Sequence, residues 1–265
     1  MVEVIQPFLE QTVRLNRYIP IQPTIPQLAF LSLPNQEVLY GGAAGGGKSV
    51  SLLAASLQFM DCLNYHALLL RRTFKDLDRP GGLIPMSHGW LTGKARWRAD
   101  AKQWVFDNGN TLNFGHCESE NDIYQYQGAE FAFIGFDELT QWPEWAYTYM
   151  SSRLRRKAEA TYPLRIRAGS NPGGIGHTWV YRRFVAKDLL RPEDRMFVPA
   201  KLDDNPHLDK EQYLSALSQL DAITLAQLRD GDWQATHTGG VFPAHALAWQ
   251  RSRKQSGALG MVVLQ

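Results

Sequence analysis

The chain predicts an α/β protein in which a central, mostly parallel sheet is flanked by helices and followed by a small helical subdomain. Three observations carry this. Short apolar runs that fit buried parallel strands recur along the chain: Gln36 to Tyr40, His66 to Leu70, Phe131 to Phe136 and Pro163 to Ala168. The first runs through a glycine-rich stretch straight into Val50 to Met60, an apolar segment rich in helix formers. The third ends abruptly in two acids, Asp137 and Glu138.

The glycine-rich stretch is Gly42-Ala43-Ala44-Gly45-Gly46-Gly47-Lys48-Ser49, which satisfies G-x-x-x-x-G-K-[ST] between strand and helix. Glycines let backbone N–H groups converge on an anion, and the positive end of the helix dipole lies beneath it. Gly42, Gly45, Gly46 and Gly47 are therefore expected to shape a polyphosphate cradle. Lys48 would reach the β- and γ-phosphates, and the Ser49 hydroxyl would join a Mg²⁺ shell. Asp137 is placed to hold that shell, and Glu138 to orient and deprotonate an attacking water. Ras-type GTPases use a glutamine for the water, so the adjacent glutamate favours a P-loop ATPase of the RecA-like, additional-strand, catalytic-glutamate (ASCE) type. The long gap between Lys48 and Asp137 leaves room for the additional strand and a hairpin.

Upstream, residues 1–35 read as a lead-in whose prolines at 7, 20, 23, 26 and 34 forbid a long helix. Gln27 lies within it. A glutamine amide can pair with the N6/N7 edge of adenine, which selects ATP over GTP. After the second strand, Arg79 to Pro85 reads as a loop between strands. Gln103 to Phe106 and Thr111 to Phe114 form a hairpin, with Asn108-Gly109 supplying the positive φ angles of a tight turn.

The last strand runs into Gly169-Ser170-Asn171-Pro172, where Ser170 and Asn171 are placed to sense the γ-phosphate, or to do no more than reverse the chain. Gly176 to Leu190 has helical character, and Met196 to Ala200 reads as another strand. From Leu208 to Leu228, Tyr213, Leu214, Leu217, Leu220, Leu225 and Leu228 make an apolar stripe expected to be core. The expected division is a lead-in (1–35), an ATPase core (36–190), a helical lid or linker (191–235) and a tail (236–265).

Composition sets the outer bounds. Of 265 residues 44% are hydrophobic and 20% charged, as in globular proteins, and the two cysteines have no metal-ligand spacing. No apolar run approaches the ~20 residues that span a bilayer, so no membrane partner is expected. A net charge of +2 does not by itself argue for nucleic-acid binding.

Taken together, Ile25-Pro26-Gln27, Tyr40 to Ser49, Leu70 to Thr73, Tyr126 to Phe131, Gly135 to Thr140, Ser152 to Arg155, Ser170 to Gly174, Gly176 to Val180, Asp204 to Leu208 and Gly231-Asp232-Trp233 resemble the large terminase subunit of tailed bacteriophages. The resemblance implies an ATP-driven motor moving double-stranded DNA through a portal protein into a procapsid. It implies a small terminase subunit as partner, a homo-oligomeric ring and the host bacterial cytoplasm as location. It makes Gln27 the adenine contact, Asp137 the metal-assisting acid and Glu138 the catalytic base, and puts Ser170 and Asn171 in the coupling motif.

There are two departures. Many relatives carry an arginine inside the loop, or before a glycine upstream of the acids, where this chain has Ala43, Ala44 and Gln127. Arg153 and Arg155 are then the preferred arginine-finger candidates. Relatives also continue into a two-metal nuclease, yet Trp233 to Gln265 holds no Asp or Glu to bind such metals. An isolated ATPase part without nuclease activity is expected: a truncated gene, a prophage remnant or one piece of a split protein. A helicase-like ATPase and a remnant that only binds nucleotide are the alternatives.

Overall fold

The computed structural model describes residues 7–186, 194–206 and 208–235. Eight strands form one sheet: β1 (Glu37–Gly42), β2 (His66–Arg71), β3 (Arg96–Arg98), β4 (Gln103–Val105), β5 (Thr111–His116), β6 (Phe133–Asp137), β7 (Arg165–Ser170) and β8 (Arg195–Ala200). Their order is β3-β4-β5-β2-β6-β7-β1-β8. From β5 to β8 every pairing is parallel, and β3 and β4 add an antiparallel edge.

Both faces of the parallel part are covered, which is why its strands read as unbroken apolar runs. Within β1 the side chains alternate: Val38 and Tyr40 enter one core and Leu39 the other. The first core receives helix α1 (Ile25–Ser32), helix α2 (Lys48–Leu57) and a helix at Leu83–Leu91, through Phe30, Leu31, Leu52, Leu53, Leu57, Leu83 and Leu91. On the other side Leu68, Ile134, Phe136 and Ile166 meet Tyr147 and Met150 of a helix at Glu144–Ser151. Each fully buried leucine contributes about 2 kcal/mol by removal from water.

Several expectations shift. The additional strand does not come from the gap between Lys48 and Asp137. It is β7, contributed after the acids, and it lies between β1 and β6. Of the segment expected to be a loop between strands from Arg79 to Pro85, only residues 79–82 lie outside helix, between helices at Phe74–Asp78 and Leu83–Leu91. Pro85 is tolerated because it sits in a first turn, where backbone N–H groups have no helical partner. Asn108-Gly109 does not make a two-residue turn. Only Gly109 has positive φ (82°), and Phe106 N bonds Asn110 O at 3.0 Å. The wider loop lets Asn108 and Asn110 donate to Met60 O at 2.9 and 2.8 Å, tying the hairpin to the end of α2.

The lid expected from residue 191 is also reduced, because β8 joins the sheet beside β1. Beyond it, Lys210–Leu217 and Ala222–Leu225 are separate helices, the second capped by Asp221. That break ends the apolar stripe as a continuous face. Leu217 is buried, whereas Leu214 and Leu220 are 37% and 39% exposed. The end of the helical stretch (187–190) and the tail from 236 lie outside the described residues.

Candidate active site

The parallel strands of the sheet all present their C-terminal ends on one edge, and there the chemistry-bearing residues gather. β1 ends at Gly42, the loop turns, and α2 starts at Lys48 with Gly47 as its N-cap. Three of the loop glycines, Gly42, Gly45 and Gly47, have positive φ. Gly42 has φ 135° and a Cβ there would lie 2.4 Å from Ala200 O. Gly47 has φ 74° and a Cβ would lie 2.6 Å from Gln27 Nε2. Tyr40 braces the loop from within the first core, donating its hydroxyl to Gly46 O at 2.8 Å.

Lys48 is 8% exposed and folds back over its own loop, donating to Ala43 O at 2.5 Å. Burial pulls its ammonium down to about 8, against the opposing pull of Glu138 and Asp137. Ser49 donates its hydroxyl to Asp137 Oδ1 at 3.0 Å. The other oxygen of Asp137 accepts from Arg71 Nη1 in a buried ion pair. Glu138 follows with backbone angles of φ 54° and ψ 59°, a left-handed conformation that costs a non-glycine residue about 1–3 kcal/mol. Burial, then the charge of Asp137, raises its carboxyl above the ordinary value, while Lys48 and Arg71 act in the other direction.

A cleft of about 340 Å³ opens here, lined by Ala44 to Val50, Glu138, Asn171 and Asn205. Gly45, Gly46, Gly47, Lys48, Ser49, Glu138 and Asn171 were all candidates from sequence, and they converge. Another concavity, of about 400 Å³ and lined by Lys102, Asn113, His116 and Tyr126, contains none of them. Ser170 is buried behind the cleft, where its hydroxyl bonds the backbone N–H and hydroxyl of Thr140 at 3.0 and 2.9 Å. This ties the end of β7 to the turn that follows Glu138. Gln27 reaches the base of the loop, with Nε2 3.4 Å from Gly47 O, but its carbonyl accepts from Thr24 N at 2.8 Å.

Magnesium keeps several waters and takes few protein ligands, all oxygen. The Ser49 hydroxyl, at the end of the loop, and the Asp137 carboxylate, at the end of β6, are donors of that kind. Among the described residues no group of three or more His, Cys, Asp or Glu converges on a metal position.

Arg153 and Arg155 are not at this site. Phe131 N bonds Arg153 O at 3.0 Å and Arg155 N bonds Phe131 O at 2.9 Å, beside the start of β6. Asp137 closes the same strand, so at ~3.3 Å per residue it lies roughly 20 Å from Phe131. Arg153 lies over the Tyr149 ring and Arg155 pairs with Glu130, and neither lines the cleft. Two contributors had no assigned role from sequence. Arg71, with Arg72 and Arg79 after the second strand, reads equally as a transition-state cation, a DNA-phosphate contact or a solvated face. Asn205, which donates to Gly45 O at 2.5 Å, had no signal beyond its place in the Asp204-Asn205-Pro206 block.

The end of β8 and the segment after it also grip the loop. Ala43 N bonds Ala200 O at 2.8 Å and Ala44 N bonds Leu228 O at 2.7 Å. Among the described residues no helix is long and apolar enough to cross a membrane.

The fold is that of large terminases. It matches the large terminase of a thermophilic bacteriophage with a TM-score of 0.66 at 17% identity, over 80% of this chain and 54% of that one. The same terminase in complex with ATP-gamma-S gives 0.63 at 18% identity, over 80% and 53%. The ATPase domain of the Thermus phage P74-26 large terminase gives 0.60 at 10% identity, over 86% and 97%. The chain thus spans about half the length of the first terminase and nearly the whole of the isolated P74-26 domain. No curated protein matches it by sequence. A family model described as "Terminase large subunit, T4likevirus-type, N-terminal" matches residues 39–248, and the chain belongs to that family.

Proposed function

We propose that the chain is the ATP-hydrolysing motor part of a phage DNA-packaging terminase. The observation that carries this is one cleft lined by a phosphate loop and Glu138, with the buried Asp137 hydrogen-bonded to Ser49 of that loop. The loop amides and Lys48 bind the β- and γ-phosphates. Ser49 and Asp137 would hold Mg²⁺, which would supply charge neutralisation when bound. Glu138 accepts the proton of the water that attacks the γ-phosphorus, and a raised carboxyl is the better matched to that task.

Gln27 contributes to the adenine end through its remaining amide capacity. Ser170 and Asn171 couple the state of the cleft to the rest of the chain through Thr140. The units are the lead-in, an ATPase core extended by β8, and the helical segment from Lys210. Hydrolysis drives double-stranded DNA toward a procapsid, with portal protein, small terminase subunit and further copies of this chain in a ring, in the host cytoplasm. Within that ring Arg153 and Arg155 act only on a neighbour's cleft.

ATP turnover by purified protein, with and without double-stranded DNA, tests the reading. Phosphate release that Glu138→Gln leaves at the parent rate would remove the assigned base. Strand separation in the absence of portal and procapsid would favour a helicase-like enzyme. Tight ATP binding without turnover, even with DNA and procapsids, would select a nucleotide-binding remnant.

A further inference from the structure

Asp137 is held from two sides. One oxygen accepts from Ser49; the other accepts from Arg71, and Arg71 and Asp137 are only 8% and 2% exposed. The sheet register creates the second contact. β2 pairs with β6 in parallel, Leu70 opposite Phe136, so the next residue of each strand falls beside the other at the site's edge. Lys48 does not take this place, since its ammonium bonds Ala43 O.

We propose that Arg71 is a positioning residue for the metal–nucleotide site, holding Asp137 Oδ2 so that Oδ1 is presented to Ser49 and to Mg²⁺. This rests on reading the cleft as a Mg²⁺–nucleotide site. Magnesium demands near-ideal octahedral geometry, so a carboxylate free to turn is a poor partner for it. A carboxylate whose second oxygen is fixed by a guanidinium turns little. The neighbouring buried arginines show what a scaffold arginine looks like in this fold. Arg167 donates to the carbonyls of Leu33, Asn35, Gln36 and Ile166 around the end of α1, and to no carboxylate of the site. Arg71 instead contacts the one side chain that also holds Ser49. It does not touch the reacting atoms, and its effect passes through Asp137.

The test is binding of a fluorescent ADP analogue, titrated against Mg²⁺ and repeated in EDTA, for the parent chain and Arg71→Met. Loss of a partner behind a metal ligand typically weakens metal affinity about 10- to 100-fold. The half-saturating Mg²⁺ concentration for nucleotide binding is expected to rise by that factor, with affinity in EDTA unchanged. Equal loss with and without metal would reduce Arg71 to scaffolding. A lower Mg²⁺ requirement would mean that Arg71 competes with the metal for Asp137. Either result, or no change, overturns the proposal. Should Arg71→Met fail to fold, Arg71→Lys keeps a cation beside the buried carboxylate and is read in the same way. There a few-fold rise in the Mg²⁺ requirement supports the proposal, and an unchanged or lower one overturns it. A parent chain that binds no nucleotide in either condition overturns the reading of the cleft as well.

Discussion

The Ser49 hydroxyl reaches Asp137 Oδ1 at 3.0 Å although the strands that deliver them are not neighbours, because β7 runs between β1 and β6. The contact is made over the top of β7, at Gly169. A Cβ on Gly169 would lie 3.2 Å from Lys48 Cβ and 3.8 Å from Asp137 Oδ1. The start of α2 can lean across the intervening strand because that residue has no side chain.

Gly169→Val is therefore expected to push α2's first turn away from Asp137. Crowding of this kind costs about 1–3 kcal/mol of stability, and nucleotide affinity should fall with it. Urea denaturation and nucleotide titration on the same preparation check this. A variant that binds as tightly as the parent would show that the loop does not need this approach.

Glu138→Gln keeps the shape of the side chain and removes its capacity to accept a proton. Removing a general base typically costs about 10²- to 10⁴-fold in rate. ATP turnover should drop by that order while ATP affinity holds, as measured by single-turnover phosphate release beside equilibrium binding.

Arg153→Ala and Arg155→Ala should leave nucleotide affinity of the isolated chain unchanged, since both lie at the far end of β6. If either contributes to hydrolysis, the loss should appear only where chains assemble. Turnover measured against protein concentration distinguishes this, and a rate loss independent of concentration would contradict the placement.

Glu37, near the opposite end of β1, accepts from Arg183 Nε at 2.8 Å and from the Tyr147 hydroxyl at 2.7 Å. Burial works to raise its carboxyl, but those bonds and the charges of Arg183 and Arg195 outweigh it and hold it below the ordinary 4.5. A carboxyl depressed in the folded state adds stability above its unfolded value, and that stability is lost as the pH falls through the folded one. Glu37→Gln should therefore flatten the loss of stability below about pH 4.5 and lower stability at pH 7 by about 2 kcal/mol. Urea denaturation from pH 3 to 7 reads both.

What the sequence by itself determined is what is contiguous. Gly42 to Ser49 must turn where it does because its glycines take backbone angles and close approaches closed to other residues. Asp137 and Glu138 must fall at a sheet edge because the apolar run before them is a buried strand. The tertiary structure decided which of these pieces meet. The order of strands, which sets β7 between β1 and β6, depends on how apolar faces are shared among elements far apart in the chain. That same register gave Arg71 to Asp137 and carried Arg153 and Arg155 to the other end of β6, a difference no local pattern encodes. The stripe from Tyr213 to Leu228 failed as core for a related reason: Asp221 starts a new helix, and periodicity holds only within one helix.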